Sequence, residues 1–175
     1  DSGYTWWIDR IRTTFDLVDV VRIDHFRAFE SYWEVPAGHK TAVKGKWVPG
    51  PGSPFFEALE KTLGKKDIIA EDLGIITKGV SQLRDELGLP GMKVLQFAWP
   101  PEKGVPDAPE LLNPHPPHSH VPNCIVYTGT HDNDTTRGWY ESASEGERHV
   151  LQDGSALRVG ERDAGGAYAF SHRVQ

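Results

Sequence analysis

The chain has 175 residues, one cysteine (Cys124) and a formal net charge of −6. That is long enough for one sizeable core, on length alone a single domain, and it leaves no internal disulfide framework. The acidic balance disfavours a nucleic-acid backbone as partner, and no apolar run is long enough to cross a bilayer.

A lone cysteine fits a reducing compartment, and no stretch of this sequence reads as a signal peptide, so the expected location is cytoplasmic. The chain begins at Asp1 without an initiating Met, so a processed or truncated N-terminus is expected. Six tryptophans are many for this length. Their flat faces suit sugar rings as well as a core.

Tyr4 to Val18 reads as an amphipathic helix, with Tyr4, Trp7, Ile8, Ile11, Phe15 and Val18 at spacings of three and four. Asp9, Arg10, Arg12 and Thr13 take the other face, which assigns Trp7 to packing. Val18 to Ile23 follows as a β-branched run suited to a strand buried on both faces. It runs straight into Arg22-Ile23-Asp24-His25. Arg22 and Asp24, two apart, fall on the same side of that strand. An Arg beside an Asp favours the ionised carboxylate. The pair is either a structural closure of the strand end or part of a site.

Arg27 to Gly52 has no clear period and reads as a long loop, either packed on the surface or covering a substrate. Ser53-Pro54 predicts a helix start, with Ser53 as N-cap, Phe56, Leu59 and Leu63 as its stripe, and Gly64 as its stop. Ile68-Ile69-Ala70 is a short buried-type strand that ends in Glu71-Asp72. Thr77 caps a further helix with Val80, Leu83 and Leu87 on one face, ended by Gly88 and Pro90. Met92 to Trp99 reads as a strand. Pro100 to Pro122 carries His115, His118 and His120, but its prolines stiffen the segment and no metal site is expected there. Cys124 to Thr128 is another buried-type strand, running through Gly129-Thr130 into His131-Asp132.

Strands alternating with helices indicate an α/β fold with a parallel sheet. The strand ends fall near positions 24, 71, 97 and 132. Their spacing approaches the roughly 30 residues per unit of a (β/α)8 barrel, whose active sites lie at the C-terminal ends of its strands. An open doubly wound sheet is the alternative, but it places its ligand at one switch point. No Gly-rich phosphate loop follows any strand.

Asp24, Glu71 and Asp132 all sit at such ends. Two carboxylates across a scissile bond are the apparatus of glycoside chemistry, one attacking the anomeric carbon and the other acting as acid and then base. Arg22 favours a charged Asp24, and burial with Asp72 alongside favours a protonated Glu71. Asp132 beside His131 could hold sugar hydroxyls or an oxocarbenium-like charge. A metal-hydrolase reading would want more histidines at strand ends than His25 and His131.

These residues lie in motifs that resemble those of a known family. R-I-D-H-F-R (22–27), A-E-D-L-G (70–74) and T-H-D-N-D (130–134) are similar to signatures of the 4-α-glucanotransferases. Those enzymes, also called amylomaltases or disproportionating enzymes, belong to the α-amylase clan. Further matching runs are V-P-A-G-H-K-T-A (35–42), W-V-P-G-P-G (47–52) and L-G-L-P-G-M-K-V-L-Q-F-A-W (87–99), so the resemblance covers about residues 4 to 145.

The resemblance implies a retaining transglycosylase acting on malto-oligosaccharides and α-1,4-glucans, with no metal or organic cofactor. By motif, Asp24 would be the nucleophile, Glu71 the general acid/base and Asp132 the transition-state stabiliser. Arg22 and His131 would lie at the donor sugar. It also implies a partial (β/α)8 TIM barrel, about strands four to seven of eight, over residues 1–145. Residues 146–175 would be a divergent or out-of-frame tail. The expected activity of such a piece alone is weak or nil. A catalytically inactive glucan-binding module and an α-glucan hydrolase of the same clan are the competing readings.

Overall fold

The computed structural model describes residues 3–98, 113–145 and 148. The expected tail, 146–175, lies outside them except for Arg148, as does Trp99. The elements run α1 (Thr5–Phe15), β1 (Val20–Ile23), β2 (Ser31–Glu34), β3 (Lys46–Pro49), α2 (Ser53–Leu63), β4 (Asp67–Ala70), α3 (Lys78–Glu86), β5 (Gly91–Val94), β6 (Cys124–Tyr127) and α4 (Thr136–Ser142). No helix among the described residues is long and apolar enough to cross a membrane. The chain divides into two compact units, Asp1–Met92 with Asn123–Ile125, and Lys93–Pro122 with Val126–Gln175.

In the first unit β1 and β4 pair in parallel, with Val20 opposite Asp67 and Ile23 opposite Ala70. The Ala70 N–H donates to Pro90 O at 2.9 Å, which brings the start of β5 beside the end of β4. The core forms where helical stripes meet this pair: Ile8 and Ile11 of α1, Phe55, Phe56 and Leu59 of α2, Ile68 and Ala70 of β4, and Val80 and Leu83 of α3, with Phe26. Phe26, Phe29, Phe55 and Phe56 form an aromatic cluster with ring centroids 4.9–5.8 Å apart, within the range favoured by aromatic pairs. The expected ends hold at Gly64, whose φ of +72° an L side chain would resist, and at Thr77, whose hydroxyl accepts from the Val80 N–H.

Several expectations are corrected. β1 is not buried on both faces: Val20 is 48% exposed, because among the described residues only β4 pairs with this strand. Trp7 is 50% exposed, touching Phe55 only edge-on at 6.4 Å. Ser53 does not cap α2. The cap is Gly52, at φ +58°, with no side-chain bond, and Ser53 is already helical.

The periodless stretch after Arg27 holds the antiparallel hairpin β2–β3, in which Trp33 faces Trp47 and Glu34 bridges Lys46 at 3.1 Å. The run from Met92 stops being a strand at Val94 and turns through a 3-10 helix at Leu95–Phe97. There the backbone is satisfied by side chains: the Val94 N–H donates to His115 Nδ1 and Asn113 Nδ2 donates to Phe97 O. β6 pairs with β5 in a two-stranded sheet, and its Ile125 and Val126 are exposed rather than buried.

One buried carboxylate fastens the end of β4. Asp72, 9% exposed, accepts from the Met92 N–H at 2.7 Å and pairs with Arg84 of α3. Burial alone would lower the Arg84 pKa. Hydrogen bonds to Asp85 and Asp72 outweigh it and raise it, so the guanidinium stays charged at ordinary pH. A Cβ on Gly91 would stand 2.5 Å from the Asp72 carboxylate, so the strand start must be glycine for this contact. Asp72→Ala should therefore lower unfolding stability in urea by about 3 kcal/mol or more, the cost of a stranded partner. Asp85→Ala, which removes the exposed half of the same Arg84 fork, should cost under about 1 kcal/mol.

Candidate active site

Asp24 and Glu71 each follow the last residue of their strand, and those last residues are register partners. The ladder continues past both strands, the Glu71 N–H donating to Ile23 O and the Phe26 N–H to Glu71 O, each at 3.0 Å. Asp24 and Glu71 are thus neighbours at the C-terminal end of a parallel pair, where backbones run about 4.8 Å apart.

Side-chain alternation sorts the faces. Ile68, Ala70 and Asp72 are buried, while Ile69 and Glu71 between them are half-buried. Register partners in a parallel pair share a face. Arg22 and Asp24 therefore lie on the side of Ile69 and Glu71, opposite the side of Ile68 and Ala70 that packs into the core. Asp72, which the sequence sets as a like charge beside Glu71, points away to Arg84.

The Glu71 carboxylate is held by backbone donors: Oε2 accepts from the His25 N–H at 2.6 Å and Oε1 from the Leu73 N–H at 2.8 Å. Asp24 is exposed and Arg22 half-buried. The donor on Glu71 is available because His25 adopts a left-handed backbone, φ +52° and ψ +49°, which turns the chain immediately after Asp24. A non-glycine residue there is strained, and such strain gathers at functional sites. Two carboxyl groups so placed can address one bond from neighbouring strand ends.

In the second unit, His131 and Asp132 pair with each other, Nε2 to Oδ1, at 3.5 Å, and both are exposed. Their loop is set by Thr130 and Asn133: Asn133 Oδ1 accepts from both the Thr130 N–H and hydroxyl at 2.9 Å, and Thr130 Oγ1 accepts from the Asp132 N–H at 3.3 Å. The Gln96 side chain donates to Asp134 O at 3.0 Å, fixing the next residue but one. Of the three histidines in the proline-rich stretch, His115 uses Nδ1 to accept from Val94 and His120 bonds His115 O at 2.7 Å, while His118 is exposed.

Sequence reading missed Asp72 as an anchor and Arg27 as a contact between loops. Arg27 Nη1 donates to Ile75 O, and its guanidinium lies 4.1 Å from the centroid of the Trp47 ring. The signal for Asp72 was available, since it alternates with buried Ile68 and Ala70. Arg27 has no local pattern that marks it.

The backbone at His25 makes a separable prediction. His25→Gly should leave the unfolding midpoint unchanged or raised, and His25→Val, β-branched in the left-handed region, should destabilise by about 1–3 kcal/mol. Equal denaturation midpoints for the two variants would contradict the strained turn.

The profile of the 4-alpha-glucanotransferase family matches residues 1–165. The 4-alpha-glucanotransferase of Streptococcus pneumoniae is 53% identical over 141 residues, covering 81% of this chain and 26% of that protein. That of a Synechocystis species is 52% identical over 152 residues, covering 86% and 28%. Among solved structures, the amylomaltase from Streptococcus agalactiae in complex with acarbose superposes with a TM-score of 0.74 at 34% identity, over 92% of this chain and 31% of that one. The chain thus spans about a quarter of the length of the curated relatives it matches. With its profile matched across nearly its whole length, the chain belongs to the 4-alpha-glucanotransferase family.

Proposed function

We propose that this chain carries catalytic machinery of a retaining transglycosylase that moves α-1,4-glucan segments between malto-oligosaccharides. Its strands β1, β4, β5 and β6 are then the fourth to seventh of an eight-stranded barrel. The observation that carries the reading is the placement of Asp24 and Glu71 at register-neighbouring ends of parallel strands. Retaining glycosidases need carboxyl groups about 5–5.5 Å apart, and adjacent strand ends supply backbones at nearly that separation.

In the proposed reaction Glu71 protonates the glycosidic oxygen while Asp24 attacks the anomeric carbon. The glucan is left covalently on Asp24, and the shortened chain departs. Glu71, now a carboxylate, takes the proton of an incoming sugar hydroxyl, which displaces Asp24 and completes transfer with retained configuration. The His25 and Leu73 N–H groups hold Glu71 in place through both events. Asp132 stabilises the oxocarbenium-like transition state, and Arg22 and His131 bind the donor sugar. The protein works in the cytoplasm on malto-oligosaccharides and α-1,4-glucans. On its own the chain is weakly active or inactive, since among the described residues β1 pairs only with β4 and leaves Val20 exposed.

In the protein that carries this chain, Asp24→Asn and Glu71→Gln should each lower disproportionation of maltotriose by roughly 10³-fold or more. The parent should make glucans longer than maltotriose. Products only shorter than the substrate would replace the reading by hydrolysis. Starch affinity without turnover in the folded parent would replace it by a binding module. The 175-residue chain alone should turn over far more slowly than the parent. Ordinary enzyme rates from it, abolished by Asp24→Asn, would overturn the expectation of a dependent piece.

A further inference from the structure

We propose that Arg27 is a positioning residue that sets the spacing between the loop bearing Asp24 and the loop that follows Glu71; the proposal rests on the reading of that carboxylate pair. Arg27 lies in the 3-10 turn Phe26–Phe29, three residues beyond Asp24. Its Nη1–H donates to Ile75 O, four residues beyond Glu71. Its guanidinium carbon lies over the Trp47 ring of β3, 4.1 Å from the ring centroid. Trp47 is in turn fixed by its register partner Trp33, edge-on at 5.4 Å, whose indole N–H donates to Ala42 O at 2.8 Å. One planar cation therefore joins both strand-end loops to a braced hairpin.

A second of its five N–H donors argues that the group is chosen for its shape. Arg27 Nε–H is buried and has no hydrogen-bond acceptor among the described residues. An unpaired buried donor is a standing cost, and native structures seldom carry one without a reason. A lysine would avoid it, but cannot set a planar cation over an indole while also reaching a carbonyl through a rigid fork. The two loops are already stitched close to the carboxylates by the His25 and Phe26 N–H bonds to Glu71. Arg27 fastens them further out. Losing it frees the loops to shift without unfolding the pair, and a small misplacement of reacting groups is felt mainly in the chemical step.

The test uses the protein that carries this chain, with maltotriose as substrate. Arg27→Gln should lower kcat by about 10–100-fold with KM changed less than about threefold. Its melting temperature should stay within about 4 °C of the parent. Arg27→Lys should resemble Arg27→Gln, and methylguanidinium should restore part of the rate to Arg27→Ala but none to Asp24→Asn. Parent-like kcat in Arg27→Gln, or a joint fall in kcat, substrate affinity and melting temperature that Arg27→Lys repairs, would overturn the proposal. Hydrogen exchange separates its failure from that of the carboxylate reading. Should the parent transfer no glucan, faster exchange at the His25 and Phe26 N–H groups in Arg27→Gln would still support the tie. Unchanged exchange there would overturn it.

Discussion

The parallel pairing of β1 with β4 is the constraint on which the rest of the first unit depends. Its register, with Ile23 opposite Ala70, does two things at once. It puts Ile68 and Ala70 on one side, where they enter a core with residues of α1, α2 and α3. It also carries Asp24 and Glu71 to the same level at the strand ends. Because the side-chain period of a strand is two, a one-residue slip would exchange these faces, driving Ile69 and Glu71 toward the helices. Burial of the apolar face therefore fixes the placement of the polar one, and the geometry of the candidate site follows from packing that the site residues do not share.

The pair has to be held at its open end as well as along its length, and two groups do this differently. Asp72 is out of water and bonded to a backbone N–H and to Arg84, so it joins β4, α3 and the start of β5 in a low-dielectric setting. Glu71 is half-buried, and its carboxylate accepts from the backbone N–H groups of His25 and Leu73. Neighbouring acids, one residue apart, thus have opposite environments because they project to opposite faces. Glu71 can act on a ligand from that end of the strand; Asp72 is fully committed to the fold.

Much of this was legible in the sequence where a period carried it. The stripes of α2 and α3 appear as spacings of three and four, and their ends as Gly64 and Thr77, because helix faces and caps are local. The acid-terminated strands were visible as apolar runs that stop in Asp or Glu. What escaped was set by partners distant in sequence. Nothing near Trp33 predicts that it will face Trp47 across an 11-residue connection without a period (35–45). A four-residue strand on each side is too short to show a period. Ser53 looked like a cap because Ser-Pro commonly is one, but the chain reverses one residue earlier, at a glycine with positive φ. The full burial read for Val20 and for Ile125 failed for a related reason. A β-branched run states what a strand can bury, and the neighbours it meets decide what it does bury.

The left-handed turn at His25 shows how local strain and long-range pairing need each other. An extended residue there would carry the chain onward past the end of β4, and its N–H would not point back at Glu71. The turn aims that N–H at the carboxylate and lets the next residue, Phe26, return to Glu71 O and bury its ring completely. The burial of Phe26 among Phe29 and Phe56 offsets the backbone cost at His25. The aromatic core therefore stabilises the backbone reversal beside the acids, although none of its rings touches them through a polar group. That relation explains why the motif from Arg22 to Arg27 alternates between residues that serve the strand-end face and residues that serve the core. Arg22 and Asp24 face the same side as Glu71, Ile23 faces the side that packs into the core, Phe26 closes the packing, and Arg27 reaches across to the next loop.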